Sequence, residues 1–369
     1  LSPKINHDDN IHVYLNGDLI YEHEGWTNNK FTYIPLKREI IAKLKAKNNV
    51  LAIHIINTAG GQGLDAGLVT KAPQTKPVLT ATQKSVNVSA TQTKYEFTAG
   101  AIDLSLTFTS PLLLNDLNMV SRPISYITYK VKSNDQKPHD VEVLFNASTD
   151  IAVNTPSQEV RADITTGPGL SVLKAGTTEQ PILKKRGDDL RIDWGYMYVA
   201  TPSANDATQY IVSQKNALSD FNSKAMIKRA ATLTGKKLSL STVLRFGKVG
   251  SQSKQQYVML GYDDLESVQL FGKNLKAYWN KDGKKSFESE LAKAAAEYTS
   301  VIKSCNDFDA AMYKNAANAG GDKYAKLCVL AYRQAIAAHK LVESPEAGLL
   351  LMSKENFSNG SIYTVDVTY

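Results

Sequence analysis

The sequence predicts a multidomain chain that is mainly β and ends in an α part. Its 369 residues exceed the size of one ordinary domain. Apolar and polar residues alternate in short runs until about Gly261, which is the period of strands with one buried face. After Gly261 the apolar spacing changes to steps of three and four, which is the period of a helix.

Residues 1–70 are predicted to form a partial β-sandwich of the jelly-roll type. Asn16-Gly17 is a strong hairpin signal, because both residues tolerate the positive φ angles of a two-residue turn. The elements predicted around it are strands at 11–15, 19–21 and 50–56 and a short amphipathic helix at 37–47.

A linker rich in Pro, Thr and Lys is predicted at 71–77. Residues 78–265 then keep the strand period, with turn signals between the runs, and this predicts a larger antiparallel β-sandwich. The alternation is cleanest at 104–108, 127–131 and 141–145.

Residues 266–283 are predicted to form a connecting helix, and 284–369 a helical domain. A long helix is expected at 285–317, and Gly320-Gly321 ends it before a second helix that runs to about Val342. That second helix has two apolar stripes, one with Tyr324, Leu327, Cys328, Ala331, Ala335 and Ala338 and one with Val329, Tyr332, Ile336 and His339. A helix apolar on two faces packs between other helices. Since only one long partner helix is present, the helical domain is expected to be incomplete.

Composition and spacing exclude several classes of function. The net charge of +7 comes from lysines scattered along the chain, which predicts a solvated basic surface and no nucleic-acid partner. No apolar run approaches the roughly 20 residues that cross a bilayer, and no histidine spacing predicts a metal site or a cofactor. Cys305 and Cys328 are predicted to be buried thiols, with a disulfide between two adjacent helices as the alternative.

Several strings resemble the bacterial glutaminase A family. NHDDNIHVYLNG (6–17), GWTN (25–28) and NTAGG (57–61) are similar to its N-terminal part, which also resembles the sugar-binding jelly roll of family 2 glycoside hydrolases. RIDWGYMY (191–198) and LGYDD (260–264) are similar to its middle β domain. YRQAIAAHK (332–340) and ENFSNGSI (355–362) are similar to the start of its six-hairpin (α/α)6 domain.

The resemblance implies a secreted hydrolase, periplasmic or extracellular, of which this chain is the N-terminal portion. In the family the helical domain continues well beyond Tyr369, and Gly often stands where this chain has Tyr363. We therefore expect the first hairpin of an (α/α)6 toroid after 284. We also expect weak turnover by residues 1–369 alone, because the helical ring is not closed.

The predicted catalytic residues are Glu355 and Asp366, which flank a Ser-Asn-Gly-Ser turn. Hydrolysis of a glycoside needs such a pair of carboxyl groups, one of them held protonated. No G-x-S-x-G elbow occurs, and the S-x-x-K matches are expected by chance in a chain so rich in Ser and Lys. Asn356, Asn359 and Ser361 are the residues of the turn predicted to orient a substrate.

The second helix carries Arg333 and Gln334, which are also predicted to bind substrate. Arg333 would clamp the carboxylate of an amino-acid substrate, and the alternative is a salt bridge to a neighbouring helix. His339 shares the apolar stripe with Ile336 and is expected to be a core histidine.

A carbohydrate-binding patch is predicted in the first domain from Asp8, Asp9, Trp26 and Asp65. Trp26 would stack on a sugar face, and the carboxylates would accept hydrogen bonds from its hydroxyls. The alternative is that Trp26 packs against the sandwich edge while the aspartates cap turns. In the middle domain, Asp193-Trp194 and Tyr262-Asp263-Asp264 are predicted to pack against the helical domain.

Three functions follow from these residues. The first is hydrolysis of a glutamine-type amide to glutamate and ammonia, as the resemblance implies. The second is a six-hairpin glycoside hydrolase that uses a Glu/Asp pair. The third is a non-catalytic protein whose β modules bind carbohydrate. In each case the partner is a small-molecule amide or a carbohydrate, and the sequence leaves the oligomeric state open.

Overall fold

The computed structural model describes residues 2–27, 30–69, 79–185, 190–223 and 230–353. The chain forms two compact units, Leu1–Val78 and Leu79–Tyr369. Strands dominate both units, and the long helical segment comes late in the second. The predicted fold class, mainly β with a C-terminal α part, is therefore confirmed.

The first unit contains two three-stranded sheets, ordered β4-β1-β6 and β3-β2-β5. Their inner faces meet in a core of Ile5, Ile11, Val13 and Ile34. The elements are β1 (Ser2–Asp8), β2 (Asn10–Leu15), β3 (Asp18–His23), β4 (Thr32–Tyr33), α1 (Arg38–Ala42), β5 (Leu51–Ile56) and β6 (Gly63–Val69).

The Asn16-Gly17 hairpin is confirmed, because these residues join β2 to β3 with φ angles of 52° and 92°. Helix α1 is shorter than the predicted 37–47. No residue of α1 is buried, so packing adds nothing to a helix that is marginal at this length.

The second unit begins with a nine-stranded antiparallel sheet, in the order β16-β12-β13-β14-β18-β10-β9-β8-β7. A three-stranded sheet, β11-β17-β15, packs against one of its faces. The elements are β7 (Thr82–Val88), β8 (Gln92–Ala99), β9 (Ile102–Thr109), α2 (Leu117–Ser121), β10 (Ile124–Ser133), β11 (His139–Ser148), β12 (Val160–Gly167), β13 (Leu170–Thr177), β14 (Tyr196–Pro202), β15 (Ala207–Ser213), α3 (Ala217–Ser223), β16 (Thr232–Gly235), β17 (Leu238–Val249) and β18 (Lys254–Asp263). Single 3₁₀ turns occur at Thr149–Ala152, Gln214–Asn216 and Tyr278–Asn280.

Strand β10 shows why both faces of the large sheet are covered. Ile127, Tyr129 and Val131 point into the core between the two sheets. Tyr126, on the opposite face, belongs to a second core formed with the helical segment. Side chains alternate along a strand, so one strand supplies both cores. The alternation predicted at 127–131 thus identifies only the residues that face the core between the two sheets.

The helical segment α4 (Phe287–Ala337) is a hairpin. It is interrupted at Gly321, whose φ of 78° and ψ of −177° are accessible only to glycine. The rings of Phe308 and Tyr332 are 5.2 Å apart, whereas a straight helix would separate positions 24 residues apart by about 36 Å. The chain therefore reverses at Gly321. We call residues 287–320 the first arm and residues 322–337 the second arm.

Two predictions for this region are wrong. Residues 266–283 form no connecting helix but a short hairpin of β19 (Val268–Leu270) and β20 (Lys273–Leu275). The second helix does not reach Val342, because β21 (His339–Ser344) pairs with β22 (Gly348–Ser353). The two hairpins bury their apolar side chains against each other, because Val268, Leu275, Val342 and Met352 form one cluster. Neither hairpin could form this cluster without the other.

Among the described helices, none combines the length and apolar character needed to cross a bilayer.

Candidate functional site

The predicted catalytic pair, Glu355 and Asp366, lies outside the described residues. So do the predicted substrate-binding residues Asn356, Asn359 and Ser361. These assignments stay predictions. The structure does describe the elements that lead to this segment, since β22 ends at Ser353, two positions before Glu355 in the sequence.

The hairpin β21–β22 is tied to the end of the large sheet by a partly buried ion pair. Lys340 Nζ lies 2.7 Å from Asp264 Oδ2, and Ser267 Oγ donates to the other carboxylate oxygen of Asp264 at 2.9 Å. Trp194 Nε1 donates to the main-chain oxygen of Asp264 at 2.8 Å. Of the middle-domain residues predicted to pack against the helical part, Asp264 makes such a contact through Lys340. Lys340 follows His339 in β21, and His339 pairs with Ser353, the last residue of β22. The ion pair of Lys340 with Asp264 therefore also fixes where β22 ends.

Arg333, on the second arm, contacts the β-sandwich. Its Nη1 donates to the main-chain oxygens of Ser89 at 3.0 Å and Gln92 at 2.9 Å, in the turn between β7 and β8. The alternative of a salt bridge to a neighbouring helix is not what the described residues show. Gln334, one position on, is exposed. The structure thus gives Arg333 a positioning role and leaves Gln334 open to a ligand.

Asp309, on the first arm, holds the same turn from the other side. Its carboxylate accepts hydrogen bonds from Ser89 Oγ at 2.5 Å, from Thr91 Oγ1 at 2.9 Å and from Thr91 N at 2.9 Å. Asp309 and Arg333 each lie twelve residues from Gly321, so the antiparallel hairpin brings them to one turn. Nothing in the spacing of the sequence singles out Asp309.

The cysteines are free thiols, so the alternative of a disulfide is wrong. Cys305 is a buried residue of the first arm, and this burial raises the pKa of its thiol to about 11. A thiol that stays protonated at neutral pH is a poor nucleophile. Cys328 is half-buried. His339, expected in the core, is half-buried instead, and its Nδ1 lies within hydrogen-bond distance of Ala335 O.

An acidic group that the sequence assigned only to packing lies at the end of β18. Burial raises the pKa of Asp263, and the neighbouring carboxylate of Asp264 adds to the rise. Lys174 Nζ lies 3.8 Å from Glu288 Oε1 and 4.1 Å from the centre of the Tyr196 ring. A carboxyl group that keeps its proton to higher pH is suited to proton donation.

In the first unit, the predicted carbohydrate patch divides into two parts. Asp9 is 8% exposed, and its Oδ2 accepts hydrogen bonds from Thr58 N at 2.7 Å and Ala59 N at 3.2 Å. These bonds hold the pKa of Asp9 below its usual value. A carboxylate so engaged stabilises a turn, as the alternative reading expected.

Asp8, Trp26 and Asp65 are the accessible part of the patch. Asp65 pairs with Asn6 across β1 and β6, so it shares the outer face of this sheet with Asp8. Trp26 is 53% exposed, which does not fit packing against the sandwich edge. The next residue, Thr27, donates from its backbone N to His7 O at 2.9 Å, and this bond holds Trp26 beside β1.

In the described part of the chain, no group of three or more His, Cys, Asp or Glu side chains is arranged to hold a metal ion.

Comparison with known proteins places the chain in a family. The family model for a domain of unknown function, DUF5127, matches residues 91–315. The model for the glutaminase A six helical-hairpin domain matches residues 321–369. The chain belongs to a glutaminase A-like family. The predicted resemblance is confirmed, and the second match begins at Gly321, where α4 reverses.

A relative of this glutaminase A-like chain is Glutaminase A from Aspergillus oryzae, 25% identical over 306 residues. The match covers 79% of this chain and 43% of that relative, so the chain spans less than half of its length.

Among solved structures, a putative kojibiose phosphorylase from the human microbiome matches with a TM-score of 0.35 and 9% identity, over 67% of this chain and 27% of that one. Heparan sulfate lyase HepC from Pedobacter heparinus matches with a TM-score of 0.27 and 5% identity, over 52% of this chain and 24% of that one. Likenesses this distant bear on neither fold nor activity.

Proposed function

We propose that this glutaminase A-like protein is a hydrolase that releases ammonia from a glutamine-type carboxamide. The observation that carries the proposal is the 25% identity to a protein named Glutaminase A, which extends over 79% of this chain. The match to the glutaminase A six helical-hairpin domain supports it independently. The chain spans 43% of that relative, so the activity belongs to the protein at its full natural length.

In this proposal Glu355 and Asp366 act as an acid–base pair. One carboxylate takes a proton from the attacking water, and the other, held protonated, gives a proton to the leaving ammonia. The anchor between Lys340 and Asp264 supports this assignment, because it fixes the strand that leads to Glu355. Gln334, with Asn356, Asn359 and Ser361, would contact the substrate, while Arg333 holds the second arm in place.

The test is ammonia release from L-glutamine by the protein at its full natural length. We expect turnover that falls by about 10²- to 10⁴-fold in Glu355→Gln and in Asp366→Asn, the contribution typical of a general acid or base. Glu343→Gln is the matched control, because among the described residues Glu343 forms one ion pair, at 2.6 Å, with Lys281 directly after the 3₁₀ turn Tyr278–Asn280. We expect much weaker turnover by residues 1–369 alone.

Aryl glycosides are assayed in parallel. Release of the aryl group without release of ammonia would replace the proposal with a six-hairpin glycoside hydrolase that uses the same carboxyl pair. Full turnover in both variants would remove Glu355 and Asp366 from the mechanism.

A second function, carbohydrate binding by the first unit, is favoured by one observation. Trp26 is an exposed aromatic ring beside a sheet face that carries Asp8 and Asp65. Such a ring stacks on sugar faces, while carboxylates accept hydroxyl hydrogens. We expect Trp26→Ala to abolish glycan binding, and binding that survives this change would refute the assignment. Export to the periplasm or the cell exterior, where glycans occur, is part of the same proposal.

A further inference from the structure

A small polar cavity lies between helix α2, the 3₁₀ turn at Tyr278–Asn280 and the first arm of α4. Its volume is about 40 Å³. A cavity of this size has room for two to four water molecules, at about 10–15 Å³ each. Among the residues that line it are Trp279, Arg122 and Glu290. None of them belongs to the site proposed for hydrolysis.

Trp279 lines this cavity and carries an unused hydrogen-bond donor. The residue is 2% exposed, and its ring packs edge-on against Phe287 with 5.6 Å between ring centroids. Within the described residues, its Nε1 has no hydrogen-bond partner. An indole N–H that is buried without an acceptor is costly, so native structures usually supply one.

Glu290 brings an acceptor that is poorly paired. It is 8% exposed, and its one ion pair among the described residues joins Oε2 to Arg122 Nη1 at 3.9 Å, too long for a hydrogen bond. Arg122 is engaged elsewhere, because Nη1 donates to Glu297 Oε2 at 2.9 Å and Nη2 to Met119 Sδ at 3.2 Å. A donor and an acceptor with unmet hydrogen bonds therefore line one cavity.

The charges around the cavity balance. Three cationic and three acidic side chains line it, namely Arg122, Lys285 and Lys293 against Asp116, Glu290 and Glu297. An ion of either sign would disturb this balance, whereas a neutral group would not. The neutral group has to do two things at once: accept from the indole N–H and donate to the carboxylate.

We propose that this cavity binds a neutral group that accepts a hydrogen bond from Trp279 Nε1 and donates one to Glu290. Two sources share this chemistry. A water molecule has both functions, and so does a primary carboxamide, whose oxygen accepts and whose NH₂ group donates. The carboxamide source rests on the proposed function, since it would make this cavity a subsite for glutamine-type compounds. The water source does not.

The test uses the indole N–H signals of the protein in solution, recorded by heteronuclear NMR. The chain has three tryptophans, and a Trp279→Phe variant assigns the signal of Trp279 while keeping an aromatic ring against Phe287. Trp194 is the matched internal control, because its Nε1 already donates to Asp264 O at 2.8 Å and Glu266 O at 3.1 Å. Acetamide is the neutral probe, and acetate is its charged counterpart.

A saturable shift of the Trp279 signal with acetamide, with no shift with acetate and none at Trp194, would identify the carboxamide source. Cross-relaxation between the Trp279 N–H and a long-lived water, without a response to acetamide, would identify water. The proposal is overturned if neither occurs, or if acetate acts as well as acetamide. No turnover is involved, so this result stands apart from the ammonia assay.

Discussion

The two arms of α4 have similar apolar content but differ in how much of it is covered. The first arm buries Phe287, Leu291, Ala294, Val301 and Cys305 against the outer face of the nine-stranded sheet. The second arm buries Ala325 and Val329 but exposes Tyr324, Leu327 and Leu330. Of the two predicted stripes, the one with Val329 and Tyr332 packs against other residues, whereas Tyr324 and Leu327 of the other stripe are exposed in the described structure. Apolar periodicity reveals how many faces a helix offers, but it does not identify what covers each face.

The largest expected effect is on the free energy of unfolding, when the same Leu→Ala substitution is made once in each arm. Leu291→Ala should lower the free energy of unfolding by about 2–5 kcal/mol, since it opens a cavity under a fully buried side chain. Leu327→Ala, at a position 62% exposed, should change it by no more than about 0.5 kcal/mol. Chemical denaturation of both variants measures the difference, and equal losses would show that something covers the second arm as well.

The hydrogen bonds from Ser89 and Thr91 to Asp309 form a clamp on the β7–β8 turn, and their loss should give the next largest effect. Asp309→Ala removes three hydrogen bonds to one carboxylate and should cost about 1.5–3 kcal/mol of unfolding free energy. Asp307→Ala is its control, because Asp307 only forms an exposed i,i+4 pair with Lys303 and should contribute under about 1 kcal/mol. Similar denaturation midpoints for the two variants would mean that the arms do not depend on this clamp.

The reversal at Gly321 should be specific to glycine. Gly321→Ala forces a side chain into a backbone conformation outside its allowed regions, with an expected loss of about 1–3 kcal/mol. Gly250→Ala is the control, because an added Cβ there meets no atom within 4 Å and its φ is not positive. Thermal unfolding compares the pair. If Gly321→Ala is as stable as the control, the turn does not need the conformation seen here.

The smallest effect concerns the pH dependence of stability that comes from Asp263, at the end of β18. A carboxyl group whose pKa is raised by folding stabilises the folded state most when it is protonated. The contribution of Asp263 is therefore present below its unfolded pKa of about 3.8 and is lost as pH rises through its folded pKa. Unfolding free energies measured from pH 3 to 7 should show Asp263→Asn gaining on the wild type as pH rises.

Asp135→Asn should show the opposite sign. Hydrogen bonds to His139, to Lys137 N and to Ser133 lower the pKa of Asp135, so its contribution is present at neutral pH and is lost on acidification. If both variants shift in the same direction with pH, the account of Asp263 fails.

The sequence predicts the helical hairpin well but mistakes its flanks. Helical spacing and Gly320-Gly321 are local signals, and they suffice for the two arms. The hairpin of β19 and β20 has a turn at Phe271-Gly272, with φ angles of 48° and 77°, and Phe is not a residue that marks such turns. Val268 and Leu275 bury themselves only with Val342 and Met352, about 70 positions later. The apolar spacing within one segment cannot indicate a partner that lies so far along the chain.

The candidate site shows the same limit. Asp264 and Trp194 can be predicted from the sequence, because they lie in strings typical of the family. Asp309, Arg122 and Glu290 lie in no such string. Their contacts form only when the helical hairpin packs against the sheet. Asp9, expected to bind sugar, instead accepts two backbone hydrogen bonds from a loop 49 positions away. Family strings therefore mark polar residues that matter, whereas tertiary contacts decide what each of them does.

Native-state hydrogen exchange, followed by mass spectrometry, tests the contrast between the arms most directly. Amides that open only on global unfolding exchange last, and those in locally weaker elements exchange earlier. We predict that peptides from residues 287–308 exchange last, together with β10 and β18, and that peptides from residues 322–337 exchange earlier. Equal protection of both arms would contradict the account, because it would require a partner on the exposed face of Tyr324, Leu327 and Leu330.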